Sequence, residues 1–210
     1  MELVELSVRE FTALTASNAP APGGGSISAL VGSLSAALAE MVANLTAGRE
    51  KYAAAETQMQ EILTVVPDIR QKLLTAVDDD TRAFDRYMAA LAMPKSTEEE
   101  KQARSEAMQE GLKEAAVVPL TVAQEAVGLF PFLEKALSVG NPNAVTDAMV
   151  GTMLARTCAL GAIFNVRVNL ASIKDVSFAA RINKLCDELQ VIASTEEMRL
   201  LRQISIAHLA

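Results

Sequence analysis

Pro20-Ala21-Pro22-Gly23-Gly24-Gly25-Ser26, followed at once by Ile27-Ser28-Ala29-Leu30-Val31-Gly32, is the stretch on which the fold turns. The two prolines hold the chain extended and bias the residues before them away from helix. The glycines let the backbone approach a ligand or a neighbour closely. Ser26 then offers an N-cap for a helix of Ala, Leu, Ser and Val over 26–47. Such a turn gathers unpaired N–H groups at the positive end of a helix dipole, a setting that suits an anion or a polar ligand edge. The plainer alternative is a turn and nothing more, since Gly and Pro are also how chains change direction. No Lys-Ser/Thr follows at P-loop spacing and no strand-like run precedes the glycines, so neither nucleotide-binding fingerprint is present.

Outward from this turn the periodicity is helical throughout. Upstream, Leu3, Ser7, Phe11 and Leu14 predict a helix over 2–17. Within 26–47, Gly32, Ser35, Ala36, Ala39 and Ala43 let a neighbouring helix approach tightly. A long pattern over 53–91, interrupted at Pro67, carries the stripe Val66, Ile69, Leu73, Val77, Asp80, Phe84, Tyr87 and Leu91. At about 100° per residue, Asp80 falls near the middle of that apolar face. Asp78 points to nearly the opposite side, and Asp79 lies well off the stripe. A carboxylate among apolar residues finds a partner or has its pKa raised, so Asp80 is either a satisfied boundary residue or an acid/base group.

Ser96 with Glu99, or Thr97 with Glu100, fits a capping box for a helix reaching Leu129 with a kink at Pro119. Pro131 and Gly140-Asn141-Pro142-Asn143 are further breaks. A helix over 144–170 follows, apolar almost all round and therefore central. Its Asn165 and Asn169 lie one turn apart and project from one face, either to bridge helix ends or to bind a ligand. The last helix, 177–208, shows a seam of Phe178, Ile182, Leu185, Leu189 and Ile192 that is broken at Glu196. The expected architecture is an all-α, multihelical bundle with long, proline-kinked helices, as one domain over 1–210.

Composition narrows the chemistry. Half of the 210 residues are hydrophobic but only 4% are aromatic, which fits close-packed Ala- and Leu-rich helices. A net charge of −7 argues against a general nucleic-acid binder. Cys158 and Cys186 are too few for a disulfide framework and are expected to be reduced, small hydrophobes. No signal peptide opens the chain, and Gly32, several serines, Glu40 and Asn44 interrupt the apolar run after Ser26. The expectation is a cytoplasmic protein with no membrane span. His208 is the sole histidine, so neither a His-based triad nor the usual zinc site can be built. Chemistry must rest on carboxylates, Lys, Tyr, Ser and positioning.

Taken together, these motifs resemble the formiminotetrahydrofolate cyclodeaminase family, which includes bacterial methenyltetrahydrofolate cyclohydrolases. The resemblance is carried by Pro20–Ser26, Met41–Thr46, Lys51-Tyr52, Asp78 and Asp80 before Ala83-Phe84, and Pro94-Lys95. Val118-Pro119-Leu120, Gly140-Asn141, Asp147 and Asn165–Leu170 continue it in family order to about Asp175. It implies an all-helical homodimer that needs no cofactor and no metal, with Asp80 as the catalytic aspartate. It further implies that Pro22, Gly23, Gly24, Gly25, Ser26, Asn44, Lys51, Lys95, Asn165 and Asn169 bind the folate, expected to be polyglutamylated. The implied reaction is ring closure of formiminotetrahydrofolate with loss of ammonia, as in histidine degradation. Cyclohydrolase activity and a catalytically silent folate-binding or assembly module are the alternatives. Any formiminotransferase partner is expected to be a separate polypeptide.

Overall fold

The structure, a computed structural model, describes residues 2–203 and is all-helical, with no strand among the described residues. His208 and the end of the expected last helix lie outside them. The predicted helix over 2–17 is two pieces, a 3-10 turn at Leu3–Glu5 and α1 (Val8–Thr15). Ser7 divides them, because its hydroxyl caps the Glu10 N–H while the Glu10 carboxylate takes the Ser7 N–H at 2.9 Å.

α2 (Gly24–Thr46) starts two residues before Ser26, and Gly23 in an extended conformation is its N-cap. Ser26 is therefore not the cap but the third helical residue, and it is fully buried. After a 3-10 turn at Glu50–Ala55, α3 (Glu56–Leu91) continues through Pro67. Of the two possible capping boxes, Thr97 with Glu100 opens α4 (Glu98–Gly128), which runs through Pro119. α5 (Phe130–Val139), α6 (Val145–Leu170) and α7 (Val176–Gln203) complete the bundle.

α2 lies between α3 and α6 and is antiparallel to both. A side chain on Gly32 would stand 2.5 Å from Cys158 Sγ on α6 and 3.2 Å from Leu73 Cδ1 on α3. One end of the crossing seats Gly161 against the Ser28 hydroxyl, and at the other Ser35 donates to the Gly151 carbonyl at 2.7 Å. The small residues thus set the helix spacing, and larger side chains such as Met59, Ile62, Phe130 and Ile163 fill the core around them. Both cysteines are free and buried.

The far end of α2 is tied down by polar contacts. Thr46 Oγ1 accepts the Asn141 N–H at 2.8 Å, and the Tyr52 hydroxyl donates to Asn141 Oδ1 at 2.9 Å. On α7 the buried line is Ile182, Cys186, Ala193 and Leu200, whereas Ile192 is exposed. Of the expected seam only Ile182 is fully buried, with Phe178, Leu185 and Leu189 partly so; the buried line instead runs on past Glu196, whose carboxylate pairs with Arg199 at 2.7 Å.

By length and apolarity α2, the α4–α5 stretch and α6 each contain a window long enough to cross a membrane, despite the polar interruptions noted in α2. Only 56%, 50% and 44% of those windows are buried in the bundle. Leu34 and Met41 on α2, with Met153, Phe164 and Val168 on α6, remain exposed.

Candidate active site

An α-helix that starts on glycines has no side chain of its own to accept its first N–H groups. Here the acceptor comes from α3. Asp80 Oδ2 takes the Ser26 N–H at 3.0 Å and the Ser26 hydroxyl at 3.2 Å, while that hydroxyl also reaches the Val77 carbonyl at 2.9 Å. Gly25 makes the approach possible, because any Cβ there would fall on the Asp80 carboxylate. Burial pushes the Asp80 carboxyl above its ordinary value, and the two hydrogen bonds from Ser26 pull it part of the way back. The result is a half-buried carboxylate with one oxygen fixed by a helix start.

The stripe assignment of Asp80 is correct, but its neighbours behave differently from expectation. Asp78 is buried, 7% exposed, and accepts the Leu3 N–H at 2.6 Å. The face opposite the stripe is not solvated, because the N-terminal turn folds over it. Asp79 pairs with Arg82 at 2.7 Å, and Arg82 also reaches Glu2. Phe84 is 37% exposed and Tyr87 half-buried, so beyond Asp80 the stripe leaves the core.

It leaves the core to line a cavity of about 170 Å³. The Pro20–Gly25 turn and Asp80 form one wall, Phe84 and Tyr87 a second, and Asn165 and Asn169 a third. Pro22 and Ser26 are buried directly behind the first wall. The Asn165 amide N–H donates to the Gly161 carbonyl at 2.8 Å, and Asn169 donates to the Ala115 carbonyl at 2.7 Å. Only Asn169 bridges helices, α6 to α4, while the Asn165 N–H turns back onto its own helix; each amide keeps its Oδ1 as an acceptor at the cavity wall. Thr81, Phe84, Tyr87 and Ala115 were not singled out as site residues. Phe84 and Tyr87 follow Asp80 by one and two turns on the same face, where an apolar period alone does not distinguish a cavity wall from core.

Three expected site residues are elsewhere. Asn44 is exposed near the far end of α2, donating to the Glu40 carbonyl at 2.9 Å. The 23 residues of α2 span about 35 Å at 1.5 Å each, so Asn44 cannot reach the cavity of its own subunit. Lys51 lies just beyond, its ammonium 5.2 Å from the centre of the Tyr52 ring. Lys95 is exposed on the loop after α3 and is not on the cavity wall. A larger groove of about 650 Å³ between α3 and α4 is more open, and its charges pair with each other, Arg86 with Glu114 and Lys113 with Glu110. It offers nothing comparable to the carboxylate at the α2 start, which has no cationic partner among the described residues, and this makes the smaller cavity the better site.

Residues 7–188 match the family model described as formiminotransferase-cyclodeaminase. The formimidoyltransferase-cyclodeaminase of Sus scrofa is 34% identical over 96% of this chain, which spans only 37% of that protein. The methenyltetrahydrofolate cyclohydrolase of Methylorubrum extorquens is 38% identical over 82% of this chain and 83% of its own length. The crystal structure of formiminotetrahydrofolate cyclodeaminase from Thermotoga maritima superposes with a TM-score of 0.85 at 32% identity, covering 96% of each chain. By sequence and by fold the chain belongs to the formiminotransferase-cyclodeaminase family.

Proposed function

We propose that this protein is a formiminotetrahydrofolate cyclodeaminase that closes 5-formiminotetrahydrofolate to 5,10-methenyltetrahydrofolate and releases ammonia, as histidine degradation requires. The observation that carries this reading is the half-buried Asp80 carboxylate, raised in pKa and facing the cavity from the α2 start. The substrate enters as the formiminium cation. The N10 lone pair attacks the formiminium carbon, Asp80 takes the N10 proton, and the same proton goes to the nitrogen that departs as ammonia. The product keeps the positive charge as the methenyl cation. Nucleophile and electrophile belong to one molecule, so positioning and proton transfer are the enzyme's main contributions. As an anion, Asp80 also offsets charge on both cations.

A cavity of about 170 Å³ is smaller than the roughly 300–1,000 Å³ of drug-sized pockets. On this reading it holds the reacting ring end, and the glutamate tail extends outside. The protein acts in the cytoplasm as a homodimer, with no cofactor, on a substrate that a formiminotransferase reaction supplies. Methenyltetrahydrofolate cyclohydrolase is the second reading, favoured by the Methylorubrum relative's match over most of both chains. The test supplies purified protein with each folate, following ammonia release and methenyl absorbance. Ammonia release supports the first reading, whereas methenyl loss without it supports the second. With neither, the protein is a silent folate module.

A further inference from the structure

We propose that Thr81 is a second ligand-binding group of the cavity, its hydroxyl hydrogen-bonding the bound folate beside Asp80. The inference rests on the folate-site reading and deepens it. Threonines inside helices ordinarily turn the hydroxyl back to the carbonyl four residues earlier. Thr46, Thr64, Thr121, Thr152 and Thr157 all do so, with bonds of 2.6–3.2 Å. For Thr81 that carbonyl belongs to Val77, and the Ser26 hydroxyl has already taken it at 2.9 Å.

Thr81 Oγ1 is therefore buried with no hydrogen-bond partner among the described residues. Leaving a buried hydroxyl unpaired costs about 1–3 kcal/mol, so such a group calls for a reason. The cavity supplies one, because Thr81 is part of its wall. A change of χ1 rotamer is the motion that would bring the hydroxyl to that wall. A bound ligand that offers a polar edge there gives the hydroxyl the partner the fold withholds. The contact that seats Asp80 against α2 thus also leaves its neighbour free to bind.

Thr81→Val keeps the shape and removes only the hydroxyl, and Thr81→Ser restores it. Steady-state kinetics with whichever folate the wild type turns over should show KM raised about five- to tenfold in Thr81→Val, with kcat within about twofold. Thr81→Ser should return KM to within about twofold of wild type. The melting temperature of Thr81→Val should equal or exceed that of wild type, because no folded-state hydrogen bond is lost. Wild-type KM in Thr81→Val, or a lowered melting temperature as its only change, overturns the proposal. A wild type that neither binds nor turns over a folate overturns the site reading and this inference together.

Discussion

Leu3 donates its N–H to Asp78, Arg82 pairs with Asp79, and Ser26 donates twice to Asp80, so one turn of α3 holds three different partners. Only the last faces the cavity. Asp80→Asn is expected to fold, bind folate and lose about two to four decades of turnover, the usual value of a general acid–base group. Because burial raises the folded pKa of Asp80, ionising it disfavours the fold. Its contribution to stability is full below the unfolded pKa and is lost as pH rises through the folded one. Melting curves at neutral pH should therefore place Asp80→Asn at or above wild type, with the gap closing in acid. As a base Asp80 must be ionised, so the acid limb of the rate profile should lie above the ordinary carboxylate range. Asp78→Asn should lower stability, by loosening the N-terminal turn, more than it lowers turnover. Period alone found Asp80, since its partners are set by the face it shares with Val77. It could not find the role of Asp78, whose partner is 75 residues away.

At the level of helices, α2 begins where Asp80 can replace a missing cap. Gly25→Ala forces its methyl into the Asp80 carboxylate, so it should reduce turnover at least as severely as Asp80→Asn and lower the melting temperature too. Gly24 is exposed, and a Cβ there would lie 3.3 Å from Asn165 Nδ2. Gly24→Val should therefore weaken folate binding while leaving stability near wild type. Comparing calorimetric affinity with melting temperature for the two variants separates a wall residue from a spacer. Helix existence was legible throughout because the 3.6-residue period persists for many turns. The start of α2 was misplaced because a serine suggests its own cap, whereas here the acceptor belongs to another helix. Asn44 and Lys51 were grouped with the site by motif, but linear order does not show that α2 carries them to the opposite end.

For the molecule as a whole, α2 and α6 leave Leu34, Met41, Met153, Phe164 and Val168 exposed. Apolar surface of this kind marks association, and a second copy is the commonest partner. Sedimentation velocity on dilution should show a dimer that a folate analogue stabilises by mass action. A monomer with full turnover would remove the dimer from the proposal. The bundle was legible because composition and period agree everywhere. Which apolar faces stay uncovered was not, since a central helix and an association face have the same hydrophobic pattern.

Cys158 gives the bundle an internal clock. Its thiol sits where Gly32 of α2 crosses α6, and burial pushes its pKa up to about 12. A thiol so reluctant to ionise reacts with an alkylating reagent only when α2 lifts away. In a Cys186→Ala background, the rate of Cys158 modification therefore counts openings of the helix that carries the Ser26–Asp80 contact. A saturating folate analogue should slow that count in proportion to its occupancy. Binding to the cavity would then be readable at a sulfur atom that never touches the ligand.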